Sequence, residues 1–413
     1  MATLISNIGL LVNTREENNL LRGKDLAKIP SIENAYLVIE GDRIASYGAM
    51  KDTRLQSREF DQHFDATGRL ILPSWCDSHT HIVFAGSRED EFVDKIKGLS
   101  YADIAAKGGG ILNSAKKIAR ISEDELYQQA LSRINDVIRM GTGALEIKSG
   151  YGLTVEGELK MLRVIQRLKK NLRIPIKASF LGAHTFPEAF KENRDGYIKL
   201  IINEMIPAIA REKLADYIDV FCEQGFFSPE ETMQIAEAGK AVGMKSKIHA
   251  NQLHVSGGVQ AGVKLGAVSV DHLESMDNEA ILLLASSATI GTLLPTAAFF
   301  LRMPFQPARA LIDAGCAIAL ASDYNPGSSP SGNMNFVVAL SCIQMKMLPA
   351  EAINAATING AYAMEVEKEV GSITVGKLAN LIITRPVPSI NYLPYAFGSN
   401  LVDKVMLAGS WVD

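Results

Sequence analysis

Residues 70–81 read Leu-Ile-Leu-Pro-Ser-Trp-Cys-Asp-Ser-His-Thr-His, an apolar run that ends in two histidines separated by one residue. A short apolar run of this kind is typical of a buried strand in a parallel sheet. In extended backbone the side chains of residues i and i+2 point to the same side, so His79 and His81 can reach one ion. The segment therefore predicts a buried strand that carries a pair of imidazoles at its carboxyl end.

Seven further apolar stretches follow along the chain, and most are separated by segments with helical spacing. The eight predicted strands are 70–77, 143–147, 176–181, 217–222, 245–249, 267–271, 289–294 and 317–321. The helical patterns between them include 123–139, 154–169, 196–209, 229–241 and 305–314. Alternation of short strands and helices favours a parallel sheet, and eight repeats predict that it closes into a (β/α)₈ barrel of the TIM type. An open, doubly wound sheet is the main alternative.

The two ends of the chain have a different pattern, with short strands and turn signals. Residues 36–40 and 43–47 flank Gly41-Asp42, which predicts a hairpin. Similar short apolar stretches recur at 371–375, 379–384, 404–407 and 410–412. We expect a small composite β-sandwich domain built from residues 1–65 and 370–413, with the barrel in residues 66–369.

Composition argues against a nucleic-acid or membrane partner. The 413 residues carry 42 Lys and Arg against 46 Asp and Glu, a net charge of −4, without the clustered basic charge that nucleic acid requires. Residues 280–301 lack charge, but Ser, Thr, Gly and Pro interrupt them, as expected of a buried strand between two short elements. The first residues lack the basic segment of a secretory signal, and the four Cys are far apart. These features predict a cytoplasmic location with reduced thiols.

Ionisable residues concentrate at the carboxyl ends of the predicted strands, the face where barrel enzymes carry their chemistry. They are His79, His81, Lys148, His184, Glu223, His249, His272 and Asp323, which include five of the seven histidines. Any one of these histidines could be a satisfied core residue, but five at one face favour a metal site. Three imidazoles and one carboxylate suit a zinc or iron ion with a position left for water, whose pKa such an ion lowers towards neutrality.

Several segments together resemble the imidazolonepropionase family of the amidohydrolase superfamily, which acts in histidine degradation. They are 72–81, 84–88 (Phe-Ala-Gly-Ser-Arg), 146–152 (Glu-Ile-Lys-Ser-Gly-Tyr-Gly), 182–184, 271–273 and 322–327. The His-x-His pair marks only the superfamily, whereas the segments around Arg88, Tyr151 and Asn325 are specific to this family. The resemblance covers nearly the whole chain.

The resemblance implies a metal-dependent hydrolase with a small-molecule substrate. The family hydrolyses the cyclic amide of 4-imidazolone-5-propanoate to N-formimino-L-glutamate with metal-activated water, the third step of histidine degradation. By motif, His79, His81, His249 and Asp323 would hold one zinc or iron ion (Zn²⁺ or Fe²⁺/Fe³⁺). A homodimer is expected from the superfamily.

The same resemblance implies how the substrate is bound. Arg88 would bind the propionate carboxylate, a task that suits its bidentate guanidinium. Tyr151 and His184 would hydrogen-bond the ring and its oxygen, which makes His184 a candidate catalytic residue. The loop that carries Asn325, Gly327 and Ser328 would contribute side-chain and backbone donors.

Proton transfer is expected from His272 and Asp323, since the carboxylate can accept a proton from water and the imidazole can orient the nucleophile or stabilise an oxyanion. Some relatives carry an acidic residue at the position of Gln252. An amide cannot take up a proton at neutral pH, so Gln252 can bind substrate but cannot be a general base.

Lys148 raises the question of a second metal, because some relatives bridge two ions with a carboxylated lysine on the fourth barrel strand. Here the fourth strand ends in Cys222-Glu223, whereas Lys148 ends the second. One metal is therefore expected, with Lys148 paired to Glu146 or a neighbouring carboxylate.

Two other functions remain open at this point. The barrel could belong to another cyclic amidohydrolase or to a purine or pyrimidine deaminase, although deaminases of this type generally rely on the acidic residue that Gln252 replaces. A catalytically silent metal-binding scaffold is the alternative from a different class of protein.

Overall fold

The structure is a computed structural model that describes residues 2–51, 59–99 and 109–412. Its strands, in chain order, are β1 (Ala2–Val12), β2 (Ser31–Glu40), β3 (Arg43–Ala49), β4 (Gln62–Asp65), β5 (Arg69–Pro73), β6 (Trp75–Thr80), β7 (Thr142–Lys148), β8 (Ile176–Ala183), β9 (Tyr217–Cys222), β10 (Lys245–Ala250), β11 (Ser269–His272), β12 (Ile290–Leu293), β13 (Ile318–Leu320), β14 (Leu381–Pro386), β15 (Val402–Leu407) and β16 (Ser410–Trp411).

The α-helices are α1 (Glu89–Ile96), α2 (Ile111–Arg120), α3 (Glu123–Arg139), α4 (Val155–Asn171), α5 (Arg194–Leu200), α6 (Ile206–Glu212), α7 (Pro229–Ala241), α8 (Gly258–Leu265), α9 (Asn278–Ala285), α10 (Pro295–Leu301), α11 (Ala308–Asp313), α12 (Met334–Ile343), α13 (Pro349–Ala356), α14 (Ile358–Ala363) and α15 (Tyr392–Tyr395). Short 3₁₀ turns occur at Gly23–Ala27 and Glu188–Phe190, and a π-helical turn at Ile201–Met205 joins α5 to α6. This turn interrupts the helix that the sequence predicts for 196–209.

Strands β6 to β13 form a parallel eight-stranded sheet in which each strand pairs with its neighbour in the chain. The sheet nearly closes, because a parallel bridge joins Thr80 to Tyr324 and the N–H of Asp323 donates to the carbonyl of His79 over 3.0 Å. The predicted TIM-type barrel is confirmed, and the open doubly wound sheet is excluded. Closure also brings the carboxyl end of the first barrel strand against that of the last.

The chain termini form a second sheet, which confirms the predicted small β domain. Its strand order is β16-β15-β14-β5-β1-β2-β3, with β4 also paired to β1. Strand β1 is bulged between Ile5 and Ile8 and pairs on one side with β2 and on the other with both β4 and β5. Since one long strand serves these three partners, all eight strands belong to a single mixed sheet with its own apolar core around Leu37, Leu381 and Met406.

The predicted strand 70–77 is two strands in two sheets, which corrects the interpretation of the opening motif. Strand β5 pairs with β1 and β14 in the terminal sheet, whereas β6 pairs with β7 in the barrel. The chain changes sheet at Ser74. This residue packs so close to Gly143 that a Cβ added to Gly143 would lie 2.0 Å from the Ser74 hydroxyl. The residues on either side of Ser74, 70–73 and 75–76, are buried and apolar, so hydropathy does not mark the change of sheet. We infer that the domain boundary lies at Ser74 rather than after residue 65.

The charge-free segment 280–301 folds as part of α9, then β12, then α10, in agreement with the predicted buried strand. Across the described residues, the structure contains no helix that is both long enough and apolar enough to cross a membrane.

Asn359 in α14 is expected to hold the N-terminal segment against the barrel. Its buried amide accepts from the N–H of Leu21 and donates to the carbonyls of Leu21 and Ile318. Asn359→Ala leaves these groups unpaired, and each unpaired buried group lowers the free energy of unfolding by about 1–3 kcal/mol. We expect a fall of several degrees in the thermal unfolding midpoint. The exposed Asn391 is the control, and equal midpoints for Asn359→Ala and Asn391→Ala would contradict this role.

Candidate metal centre and active site

Four side chains from three strands converge at the carboxyl end of the barrel. His79 is the penultimate residue of β6 and His81 directly follows that strand, His249 is the penultimate residue of β10, and Asp323 follows β13. The Nε2 atoms of His81 and His249 lie 3.4 Å apart, and Asp323 Oδ1 lies 3.5 Å from both His79 Nε2 and His81 Nε2. One ligand nitrogen from each of the three histidines falls within 4.8 Å of the others. The structure thus brings together the four ligands expected from the sequence.

These residues fit a bound cation. Nε2 of His79 is buried without a hydrogen-bond partner among the described residues, an uncommon state for a polar atom. Burial is the main reason that the pKa values of His79 and His81 lie well below the usual histidine value, so both rings are neutral and can act as ligands. Three imidazole nitrogens and one carboxylate oxygen are a donor set that zinc and iron accept.

Two buried aspartates orient the ligand histidines. Nδ1 of His79 donates to Asp271 over 2.7 Å, and Nδ1 of His249 donates to Asp219 over 3.0 Å. Each bond fixes the ring so that Nε2 faces the site, as carboxylates commonly do for metal-binding histidines. Both aspartates lie inside strands, at 0–1 % exposure.

Lys148 lies beneath these carboxylates and forms ion pairs with them. Its ammonium nitrogen lies 2.6 Å from Glu146, 2.7 Å from Asp219 and 3.6 Å from Asp271. Burial lowers the pKa of Lys148, but the three carboxylates outweigh burial and raise it. Lys148 is therefore an ammonium engaged in ion pairs, and the predicted pairing with Glu146 is confirmed. A second buried lysine, Lys247, pairs with the other oxygen of Glu146.

His272 lies beside the four candidate ligands, close to Asp323. Donor atoms of His79, His272 and Asp323 fall within 4.8 Å of one another, and His272 Nδ1 lies 3.4 Å from Glu274. Burial lowers the pKa of His272, but Glu274 and the nearby aspartates outweigh burial and raise it. Burial raises the pKa of Asp323, against the opposing charges of His272 and His249. Both side chains therefore bind a proton more readily than free histidine and aspartate side chains do.

A cavity of about 680 Å³ opens onto this centre. The lining includes every residue that the sequence assigns to substrate, namely Arg88, Tyr151, His184, Gln252, Asn325, Gly327 and Ser328. It also includes His81, His249, His272 and Asp323. The candidate ligands and the candidate substrate residues therefore share one space.

Arg88 is held in this wall by a partner that the sequence analysis did not identify. Its Nε and Nη2 both donate to Glu91, over 2.9 and 2.6 Å, and Glu91 in turn accepts from Asn113 and Gly110. The guanidinium also packs on Gly327, where an added Cβ would lie 2.3 Å from Nη1. Within the described residues, Nη1 and the second N–H of Nη2 have no hydrogen-bond partner, so they can bind a ligand carboxylate.

The loop after β13 corrects one expectation. The N–H groups of Gly327 and Ser328 both donate to the side-chain oxygen of Asn325 over 2.8 Å, so they are occupied within the loop rather than offered to substrate. The Asn325 amide nitrogen donates to the carbonyl of Asp323 and to the Ser328 hydroxyl. The Ser328 hydroxyl lies 3.2 Å from the Asp323 carboxylate. Asn325 therefore shapes the loop and helps to position Asp323.

His184 and Tyr151 form the side of the cavity next to His81. The rings of His81 and His184 stack with centroids 5.3 Å apart, and Tyr151 lies 5.4 Å from His184. Nδ1 of His184 donates to the carbonyl of Gly150 over 3.0 Å. Burial and the neighbouring His249 lower the pKa of His184 to about 3, so the ring is neutral and its Nε2 is an acceptor.

Glu223, whose role the sequence leaves open, holds the loop that carries Gln252. Its carboxylate accepts from the N–H groups of Leu253 and His254 and lies 3.1 Å from Nδ1 of His254. Gln252 is buried at the cavity wall. Glu223 thus has a structural role beside the site rather than within it.

The sequence analysis missed the carboxylates behind the site, namely Asp219, Asp271, Glu274 and Glu91. A signal was present for Asp219, which stands in the middle of the apolar strand Tyr-Ile-Asp-Val-Phe-Cys. A charged residue at a buried strand position requires a partner. For Glu91 no such signal exists, because it lies among other acidic residues in α1.

Known proteins resemble this chain at two levels. The profile of the Amidohydrolase family matches residues 70–412. Solved structures with the same fold include a triazine hydrolase variant (TM-score 0.73, 14% identity, 99% of this chain and 94% of that chain) and guanine deaminase from C. acetobutylicum with bound guanine (TM-score 0.71, 15% identity, 100% of both chains). The chain belongs to the amidohydrolase family, whose members depend on a metal.

The curated relatives narrow the assignment. The chain is 57% identical over 410 residues to the imidazolonepropionase of Flavobacterium johnsoniae, which covers 99% of each chain. It is also 52% identical over 413 residues to the imidazolonepropionase of Christiangramia forsetii, and this match covers 100% of each of the two chains. Within the amidohydrolases, the chain belongs to the imidazolonepropionase family.

Removal of Asp271 tests whether its hydrogen bond to His79 orients that ring for metal binding. Asp271→Ala leaves His79 Nδ1 without its acceptor, and loss of such a partner typically costs about 10–100-fold in metal affinity. We expect a loss of this size in zinc affinity, measured by competition with a chelator. Asp136→Ala, in an exposed part of α3, is the control. Wild-type affinity in Asp271→Ala would show that Asp271 does not orient His79.

Proposed function

We propose that the chain hydrolyses the ring amide of 4-imidazolone-5-propanoate to N-formimino-L-glutamate in histidine degradation. The observation that carries this proposal is the shared cavity, which joins the four-ligand cluster to a guanidinium suited to a propionate carboxylate. The identity to imidazolonepropionases over the full chain supports the same substrate.

His79, His81, His249 and Asp323 would hold one ion. When bound there, a divalent cation lowers the pKa of water and polarises a carbonyl oxygen. The donor set suits zinc and iron equally, so the proposal keeps both, Zn²⁺ or Fe²⁺/Fe³⁺. The ion pairs of Lys148 support a single-ion site.

The protein groups supply the proton transfers. Water attacks the carbonyl carbon of the ring, a C–O bond forms and the ring C–N bond breaks. Asp323 accepts the proton of the attacking water and then delivers it to the departing ring nitrogen, so the proton lost by water ends on the leaving group. His272, whose raised pKa allows it to carry a proton, orients the water and stabilises the developing oxyanion. Gln252 contributes hydrogen bonds only.

The remaining cavity residues position the substrate. Arg88 binds the propionate carboxylate, Tyr151 donates a hydrogen bond to the substrate and the Ser328 hydroxyl holds Asp323. Because Nε2 of His184 is an acceptor, His184 receives an N–H of the ring rather than stabilising the oxyanion. This assignment refines the catalytic role that the sequence suggests for His184.

Assembly and compartment complete the proposal. We propose that the protein is a cytoplasmic homodimer and that it binds no nucleic acid. All four cysteines are unpaired in the structure, and the net charge of −4 offers no basic surface for nucleic acid.

Turnover of imidazolone propionate, generated from urocanate because the compound is expected to be labile, tests the proposed function directly. We expect hydrolysis that a chelator abolishes and added metal restores, with no release of ammonia from guanine or cytosine. Deamination without hydrolysis of imidazolone propionate would assign the chain to the deaminases instead. Absence of both activities in metal-loaded protein would indicate a scaffold.

Arg88→Ala is expected to weaken substrate capture without disturbing the metal. A hydrogen bond to a charged group contributes about 1.5–3 kcal/mol, so KM should rise roughly 10- to 100-fold. Metal content should remain that of the wild type, because Arg88 does not contact the four ligands. Steady-state kinetics together with elemental analysis measure both effects, and unchanged KM would remove the assignment of Arg88.

A further inference from the structure

A second cation, Lys95, lines the same cavity as Arg88. It lies in α1, seven residues after Arg88, and its ammonium donates to the carbonyl of Gly327 over 3.1 Å. Gly327 is also the residue on which the Arg88 guanidinium packs. Lys95 and Arg88 therefore approach one loop residue from two directions.

The charge of Arg88 is largely compensated before any ligand binds. Glu91 accepts two of its N–H groups, and the Glu91 carboxylate faces a smaller adjoining cavity of about 360 Å³. An arginine paired with a carboxylate contributes directional donors but little net positive potential. A second positive group is needed if an anionic ligand is to be attracted rather than merely oriented.

The neighbouring loop does not provide this charge. The N–H groups of Gly327 and Ser328 are occupied by the Asn325 side chain. The Lys95 ammonium, by contrast, contacts a carbonyl oxygen, a neutral acceptor that leaves its positive charge in place. Burial and the nearby charge of Arg88 lower the pKa of Lys95, and the Glu91 carboxylate opposes them only in part. An anion placed between the two cations would relieve the repulsion between their charges.

We propose that Lys95 is a second carboxylate-binding residue of the cavity and supplies the net positive charge that the Arg88–Glu91 pair lacks. The ligand carboxylate would be shared by Nη1 of Arg88 and Nζ of Lys95, next to Gly327. Lys95 would then select for ligands that carry an acidic side chain over neutral ring compounds of the same size. This inference rests on the proposed function for the identity of the substrate, but not for the recognition of a carboxylate.

Lys95 could instead serve only to hold the Gly327 loop. The two roles differ in what they do to ligands without a carboxylate. A lysine that binds the carboxylate affects only acidic ligands, whereas a lysine that only shapes the loop affects all ligands of the cavity alike. The comparison between an acidic ligand and its neutral counterpart therefore separates them.

The test measures the binding of imidazole propionate and of 4-methylimidazole, which lacks the carboxylate, to the metal-loaded protein by calorimetry. The variants are Lys95→Met, Lys95→Arg and the control Lys117→Met. Lys117 also donates to a backbone carbonyl, that of Ser87, but it is not part of the cavity lining. Metal content and unfolding temperature of each variant confirm that it is folded.

We expect Lys95→Met to lower the affinity for imidazole propionate about 10- to 100-fold, the usual contribution of a charged hydrogen bond. The affinity for 4-methylimidazole should not change. Lys95→Arg should recover part of the loss, and Lys117→Met should match the wild type. With imidazolone propionate as substrate, KM should rise in Lys95→Met while kcat stays within a few fold.

Two results would overturn the inference. Equal losses of affinity for both ligands would show that Lys95 only holds the loop. Wild-type affinity for imidazole propionate in Lys95→Met would show that Lys95 does not bind the carboxylate. Failure of the proposed function gives a different pattern, in which the wild-type protein either shows no preference for the acidic ligand or does not hydrolyse imidazolone propionate.

Discussion

The hydrogen bonds from His79 to Asp271 and from His249 to Asp219 are the constraint on which the site depends. Without them the imidazoles could rotate, and their Nε2 atoms would not converge with Asp323. Both carboxylates are buried, and Lys148 pairs with each of them. Because a lone buried charge is costly, this ammonium allows both aspartates to stay ionised beneath the histidines.

The barrel supplies the geometry that these charges require. Strands β6, β10 and β13 are distant in sequence, yet closure of the sheet brings their carboxyl ends to one rim. The hydrogen bond from the Asp323 N–H to the His79 carbonyl joins two candidate ligands through their backbones. Two residues of this rim, His272 and Asp323, have φ values of 86° and 53°, which L residues seldom adopt. The fold thus places the site where the first and last strands meet.

Much of this arrangement follows from sequence patterns. The strand and helix alternation predicts the barrel, the residues at strand ends identify the face, and the family resemblance implies which four of them would be ligands. Two kinds of feature escape such patterns. The change of sheet at Ser74 falls inside one apolar run, because the residues on both sides of Ser74 are buried. The pairing of Arg88 with Glu91 and the occupation of the Gly327 N–H depend on local loop geometry that residue types do not specify.

The central claim is that one ion lies between the Nε2 atoms of His79, His81 and His249 and the Asp323 carboxylate. Anomalous diffraction from active crystals, collected at the zinc and iron absorption edges, tests it most directly. We expect a single peak about 2.0–2.2 Å from each of these four ligand atoms. A catalytically competent crystal without a peak there, or with a second peak at Lys148, would contradict the account.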